Sequence, residues 1–262
     1  MKGVRDVFHV AGRELRSYFV SPVAYVVLTG YVVLTGWFFF NLLLQFNRVL
    51  SMYEMMRRPD IAMRMNLNEM VMTPLFYNMT VVLLIMIPLI TMRLFAEEKK
   101  LKTDELLLTS PISVDAIVAG KYLASLTFFV LMLLLTAIFP WILFHYGSPA
   151  PELGTILSGY LGLFLLGASF IAVGLFASSI TENQIVAAVI CFVSLLLFFI
   201  IGWPSETVGS TTGKVLEYLS LIEHFNDFSK GLLESRHFVY FLSFILFALF
   251  LTKRSIESFR WR

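Results

Sequence analysis

The chain has 262 residues, 58% of them hydrophobic and 15% charged, with a net charge of +2 and a mean hydropathy of +0.80. Soluble domains carry about 25% charged residues. Here the apolar residues fall in blocks about 20 residues long, enough to cross a hydrocarbon layer of about 30 Å, which excludes a soluble domain with an enlarged core. A lone cysteine, Cys191, excludes an intrachain disulfide. The four histidines, His9, His145, His224 and His237, are scattered without metal-ligand spacing and read as interfacial or loop residues. The fold class is therefore all-α: a polytopic membrane protein forming one domain over residues 1–262.

Residues 2–20 are amphipathic and predict an N-terminal interface helix. Val4, Val7, Phe8, Ala11, Leu15, Tyr18 and Phe19 share one face, and Arg5, His9, Arg13, Arg16 and Ser17 the other. Such a helix lies in the headgroup plane, with Phe8 and Leu15 in the apolar face and Arg13 and Arg16 in the basic one; an ordinary surface helix is the alternative. No cleavable signal is expected, because the opening stretch is mixed in charge and no small-residue cleavage site follows the first apolar run. Ser21-Pro22 turns the chain into the bilayer.

Six transmembrane helices follow. The first span is placed at Val23–Leu44. Residues 45–74 form a polar, methionine-rich loop; thioethers favour Cu(I), but the mixed charges point to a helical or partly disordered loop instead. The second span is placed at Thr73–Met92, with Pro88 as a kink. The third is Ile117–His145, with Pro140 near its end, and the fourth is Leu153–Ser179, whose many glycines predict central packing. The fifth is Gln184–Gly202. Residues 205–237 form an extracytoplasmic amphipathic segment, and a short sixth span runs over Phe238–Leu251. With six spans the termini share a side with the polar stretch 96–117. That side carries 13 of the Lys and Arg residues and the other side 7, which places both termini in the cytoplasm of an inner (cell) membrane protein.

The spans are nearly free of ionisable residues, which argues against ion-driven transport. No Walker A exists, since Gly120-Lys121 lacks its upstream glycine and is followed by Tyr122. The chain is not expected to be an enzyme or to hold a cofactor.

The polar island begins at Ala96. Thr103 is placed to cap a short helix over 103–110, with Asp104 and Glu105 in its first turn and Leu106, Leu107 and Leu108 exposed. Pro111 ends that helix, and Ser113 caps the next, with Asp115 in its first turn. This is a docking knob for a partner, or else a loop helix lying on its own membrane domain.

The order Glu98-Lys99, Thr103, Glu105-Leu106-Leu107, Pro111-Ile112-Ser113, Gly120-Lys121 resembles the loop between the second and third spans of type-2 ABC exporter permeases. The stretch Leu219-Ser220-Leu221-Ile222-Glu223-His224-Phe225, with Phe228, Lys230-Gly231 and Tyr240-Phe241-Leu242, is similar to the gliding-motility and nitrous-oxide-reductase-maturation branches. The resemblance implies a permease whose ATP is bound by a separate ABC ATPase subunit. It also implies a second permease, identical or not, among membrane lipids, with room for an extracytoplasmic accessory protein and no nucleic acid. It gives Glu98, Thr103, Glu105, Leu106 and Pro111 the ATPase contact. The alternative is a non-transporting anchor or force transducer that works with the same kind of ATPase.

Overall fold

The structure, a computed structural model, describes residues 2–57, 65–103, 112–147, 150–203 and 210–259. These residues are almost entirely helical and contain no strand. An amphipathic helix, α1 (Lys2–Val20), precedes α2 (Pro22–Met55). A π-helical turn at Asn68–Met72 leads into α3 (Thr73–Thr91) and α4 (Arg93–Lys100). Then come α5 (Val114–Thr136), α6 (Ile138–Tyr146), α7 (Leu153–Ser179) and α8 (Gln184–Ile200). Two short helices, α9 (Ser210–Leu219) and α10 (Leu221–Ser229), precede α11 (Ser235–Phe259). Five segments are long and apolar enough to span a membrane: α2, α3 with α4, α5 with α6, α7 and α11. The apolar α8, 17 residues long, is the shorter sixth.

Two expected boundaries move. The first span does not end at Leu44 but continues as one helix to Met55, because Asn41 bonds its own helix carbonyl at Trp37 and the polar residues beyond it keep good helix propensity. The last span is not short: α11 continues past Lys253 and Arg254. Lys253 reaches Asp115 on α5 at 2.7 Å, and Arg254 pairs with Glu257 one turn on at 3.2 Å, so the charges extend the helix instead of ending it. The fourth span is found as read, Leu153–Ser179, and it is the core of the bundle. The rings of Phe76 (α3) and Phe129 (α5) lie so close to Gly159 and Gly167 that a methyl group at either glycine would overlap them.

Pro140 explains the division of the third span. Lacking an N–H, it leaves the Thr136 carbonyl without its helical donor. Tyr160, on α7, fills the gap: its hydroxyl donates to the Thr136 oxygen at 3.0 Å. Tyr160→Phe is expected to lower stability by about 1 kcal/mol, and by clearly less in a Pro140→Ala background, where the backbone supplies its own donor. Thermal unfolding of the four proteins in nanodiscs measures this; equal losses in both backgrounds would refute the pairing.

Candidate functional site

Among the described residues, and apart from the Asp115–Lys253–Glu257–Arg254 pairs, two charged clusters stand at opposite ends of the bundle. The first lies at the end that holds both termini, where α1 crosses α5. The crossing is close because position 120 is glycine: a Cβ there would lie 2.7 Å from the Val10 Cβ. Val10 and Tyr18 are buried in this contact, and Ala11 and Leu15 pack against the core. The apolar face of α1 is thus shared between protein and surroundings, since Phe8 and Val4 remain about two-thirds exposed at 67% and 65%. Arg16 is also exposed.

The residue after Gly120 is Lys121, whose side chain is 1% exposed. An ammonium has three protons to donate, and each has a partner: Glu14 Oε1 on α1 at 2.9 Å, Glu98 Oε1 on α4 at 2.9 Å, and the Leu94 carbonyl at 2.6 Å. The Phe95 ring lies 5.1 Å from the same nitrogen. Arg13 bridges the two carboxylates from outside, 2.9 Å from Glu14 and 3.0 Å from Glu98. Two cations and two anions from three helices therefore form one neutral node. Burial alone would raise the Glu14 carboxyl, but Lys121 and Arg13 outweigh it and hold it below the usual carboxylate range.

The node sits at the root of α4, which is fastened to the central helix as well. The Ser178 hydroxyl, on α7, enters the backbone ladder between α3 and α4. It accepts from the Phe95 and Ala96 N–H groups at 3.0 and 3.1 Å and donates to the Met92 carbonyl at 2.9 Å. A side chain inserted this way breaks a helix. The hydrogen-bond ladder is therefore opened at Met92, and Pro88, where a kink is expected, lies inside α3 one turn earlier. Lys99 also donates to the Ser179 carbonyl.

Of the residues assigned to partner contact, Glu98 belongs to this node with a side chain one-fifth exposed. Thr103 is exposed, and its hydroxyl donates back to the Glu98 carbonyl at 3.2 Å. Glu105, Leu106 and Pro111, and all of the expected helix over 103–110 beyond Thr103, lie outside the described residues. Ser113 does cap α5, accepting from the Ala116 N–H at 3.3 Å, with Asp115 in the first turn. The sequence reading missed Glu14 and Lys121 as site residues. The available signal was Lys121 itself, a cation seven residues into an apolar helix, because an ionisable residue inside a span marks function by default.

The second cluster is at the opposite end, where α10 meets the start of α11. The histidines are not all scattered: the Nδ1 atoms of His224 and His237 are 2.7 Å apart, brought together by the turn between the helices. Gly231 makes that turn with φ +87. Its N–H donates to the Phe228 carbonyl at 3.1 Å, and the Leu232 N–H donates to the Asp227 backbone carbonyl at 2.9 Å, a Schellman ending.

A comparison with protein-family models matches residues 65–222, more than half of the chain, to the family described as ABC-2 family transporter protein. No match was found among curated proteins.

Proposed function

This chain belongs to the ABC-2 transporter family, whose members are membrane permease components of ABC systems, and on that premise we propose that it couples ATP hydrolysis on a separate ATPase subunit to export across the inner membrane. In this reading both termini and the 96–117 loop are cytoplasmic, the chain forms one permease domain, and two permeases pair around the pathway. The chain itself holds no ATP.

The observation that carries the reading is the Arg13–Glu14–Glu98–Lys121 node. A loop that is pushed by a partner can act on the bilayer part only if its root is joined to the spans. Here α4 is joined to α1 and α5 by the node and to α7 by Ser178. Movement of the loop is thereby delivered to three helices at once, and closely packed spans shift between discrete packings when so displaced. Glu105, Leu106, Thr103 and Pro111 make the ATPase contact, with Glu98 holding the loop's base to the node.

Co-expression with a candidate ABC ATPase subunit tests the assignment. Glu105→Lys and Leu106→Asp are expected to reduce the ATPase recovered with the permease at least about fivefold, with membrane insertion unchanged. Full recovery of the complex with both substitutions would remove the docking role. Hydrolysis by the intact complex in vesicles, with no solute moved, would favour the force-transducing alternative over export.

A further inference from the structure

We propose that Asp227, Glu234 and His237 form a binding site for a divalent transition ion of the zinc type, at the end of the bundle opposite the termini. The ligand atoms of the three residues lie within 4.8 Å of one another. His237 Nε2 is 2.8 Å from Asp227 Oδ2 and 4.0 Å from Glu234 Oε2. Those separations bracket the roughly 3.3 Å between tetrahedral ligands that each lie about 2.0–2.1 Å from zinc. One imidazole with two carboxylates and room for water is an open site for such an ion.

The hydrogen bonds behind His237 orient its Nε2. The Tyr218 carbonyl can only accept, so His224 donates to it from Nε2 at 2.9 Å. His224 Nδ1 is then an acceptor, and His237 donates to it from Nδ1 at 2.7 Å. His237 Nε2 faces Asp227 Oδ2 at 2.8 Å, where it donates to the carboxylate when it carries a proton and offers its lone pair to an ion when it does not. A metal-binding histidine commonly donates its other ring N–H to a fixed acceptor in this way. Stacking on Tyr240, with ring centroids 3.7 Å apart, holds His224 in place.

The two carboxylates gathered beside His237, Asp227 and Glu234, call for positive charge. Arg236 supplies it in this structure: its guanidinium lies 3.3 Å from Asp227, 2.6 Å from Glu234 and 3.2 Å from His237 Nε2. The Arg236 side chain is 65% exposed, so it can leave at little steric cost and stands where the ion would. A cleft of about 460 Å³ reaches Asp227 and His237, and gives the ion access. On its walls Glu217 and Glu223 offset Lys214 and Lys230.

The test uses the full chain in nanodiscs, stripped with a chelator and titrated with zinc chloride, with magnesium chloride as control. Zinc is expected to bind one ion per chain and to raise the unfolding temperature, since a ligand held by the folded state alone stabilises it. Glu234→Gln, a half-exposed position that leaves the fold intact, should weaken binding at least tenfold (on the scale of losing a charged ligand contact), and His237→Gln should abolish it. Arg236→Gln should tighten binding about fivefold or more by removing a competing charge. The proposal is overturned if zinc neither binds nor shifts unfolding, if the Glu234→Gln and His237→Gln proteins bind as before, or if Arg236→Gln leaves affinity unchanged or lower. The last result would make Arg236 the permanent counter-charge of the cluster.

Discussion

Lys121→Met is expected to destabilise the protein by about 3–5 kcal/mol, the cost of leaving one side of a buried charge cluster uncompensated. The methionine fills the same channel, so little packing is lost. What remains is the pair Glu14 and Glu98, both turned toward the site Lys121 occupied, with only the half-exposed Arg13 between them. The Leu94 carbonyl also loses its side-chain donor. Two comparisons separate charge from shape. Arg13→Gln should cost less than about 1 kcal/mol, because its side chain is 55% exposed and water screens it. Lys121→Met combined with Glu14→Gln and Glu98→Gln should recover most of the loss. Thermal unfolding in nanodiscs reads all three, and hydrolysis by the complex reads coupling. If the neutral triple variant is as stable as wild type but the ATPase no longer drives the permease, the node transmits motion as well as holding the fold. A Lys121→Met protein as stable as Arg13→Gln would show that the buried ammonium matters no more than a surface charge.

The second large effect is steric. Gly159→Ala and Gly167→Ala should each lower stability by about 1–3 kcal/mol, the usual cost of overfilling a packed core. Each added methyl meets an aromatic ring, Phe76 or Phe129, that is fully buried and has nowhere to turn. Gly154→Ala is the internal control. It lies on the same helix with nothing within 4 Å of an added Cβ, so alanine should stabilise by roughly 0.5–1 kcal/mol through helix propensity alone. Opposite signs at positions 154 and 159, measured by thermal unfolding in nanodiscs, are the expected pattern. Equal shifts at all three positions would mean that the close helix contacts do not decide stability.

The spans were readable because hydrocarbon thickness imposes a length on every apolar block. The fourth span was found to the residue because Glu152 and the Thr181-Glu182-Asn183 connection bound it sharply. Where charges lie on an exposed helix edge, hydropathy ends a span too early, as at Lys253. The node was hidden for a different reason. Its members stand at positions 13, 14, 98 and 121, and each by itself resembles the charge that flanks a membrane segment. Lys121 even counts among the 13 cations of the side that holds the termini, although it lies under α1 and is almost fully buried. Only the crossing at Gly120 brings it to Glu14, and no local pattern announces a crossing. The two histidines are similar. Thirteen residues apart, they become neighbours through the left-handed turn at Gly231, a backbone state that composition does not reveal.

The Ser178 hydroxyl inserted at Met92 has a mechanical corollary. A continuous rod from α3 through α4 would carry any torque on the loop straight along the second span. With the ladder opened at Met92, the Phe95 and Ala96 amides of α4 bond the Ser178 hydroxyl of α7, which also donates to the Met92 carbonyl. Under the proposed coupling, force entering at α4 is passed sideways into the centre of the bundle through the Ser178 bonds, in the manner of a bell crank, beside the share that the charged node passes to α1 and α5.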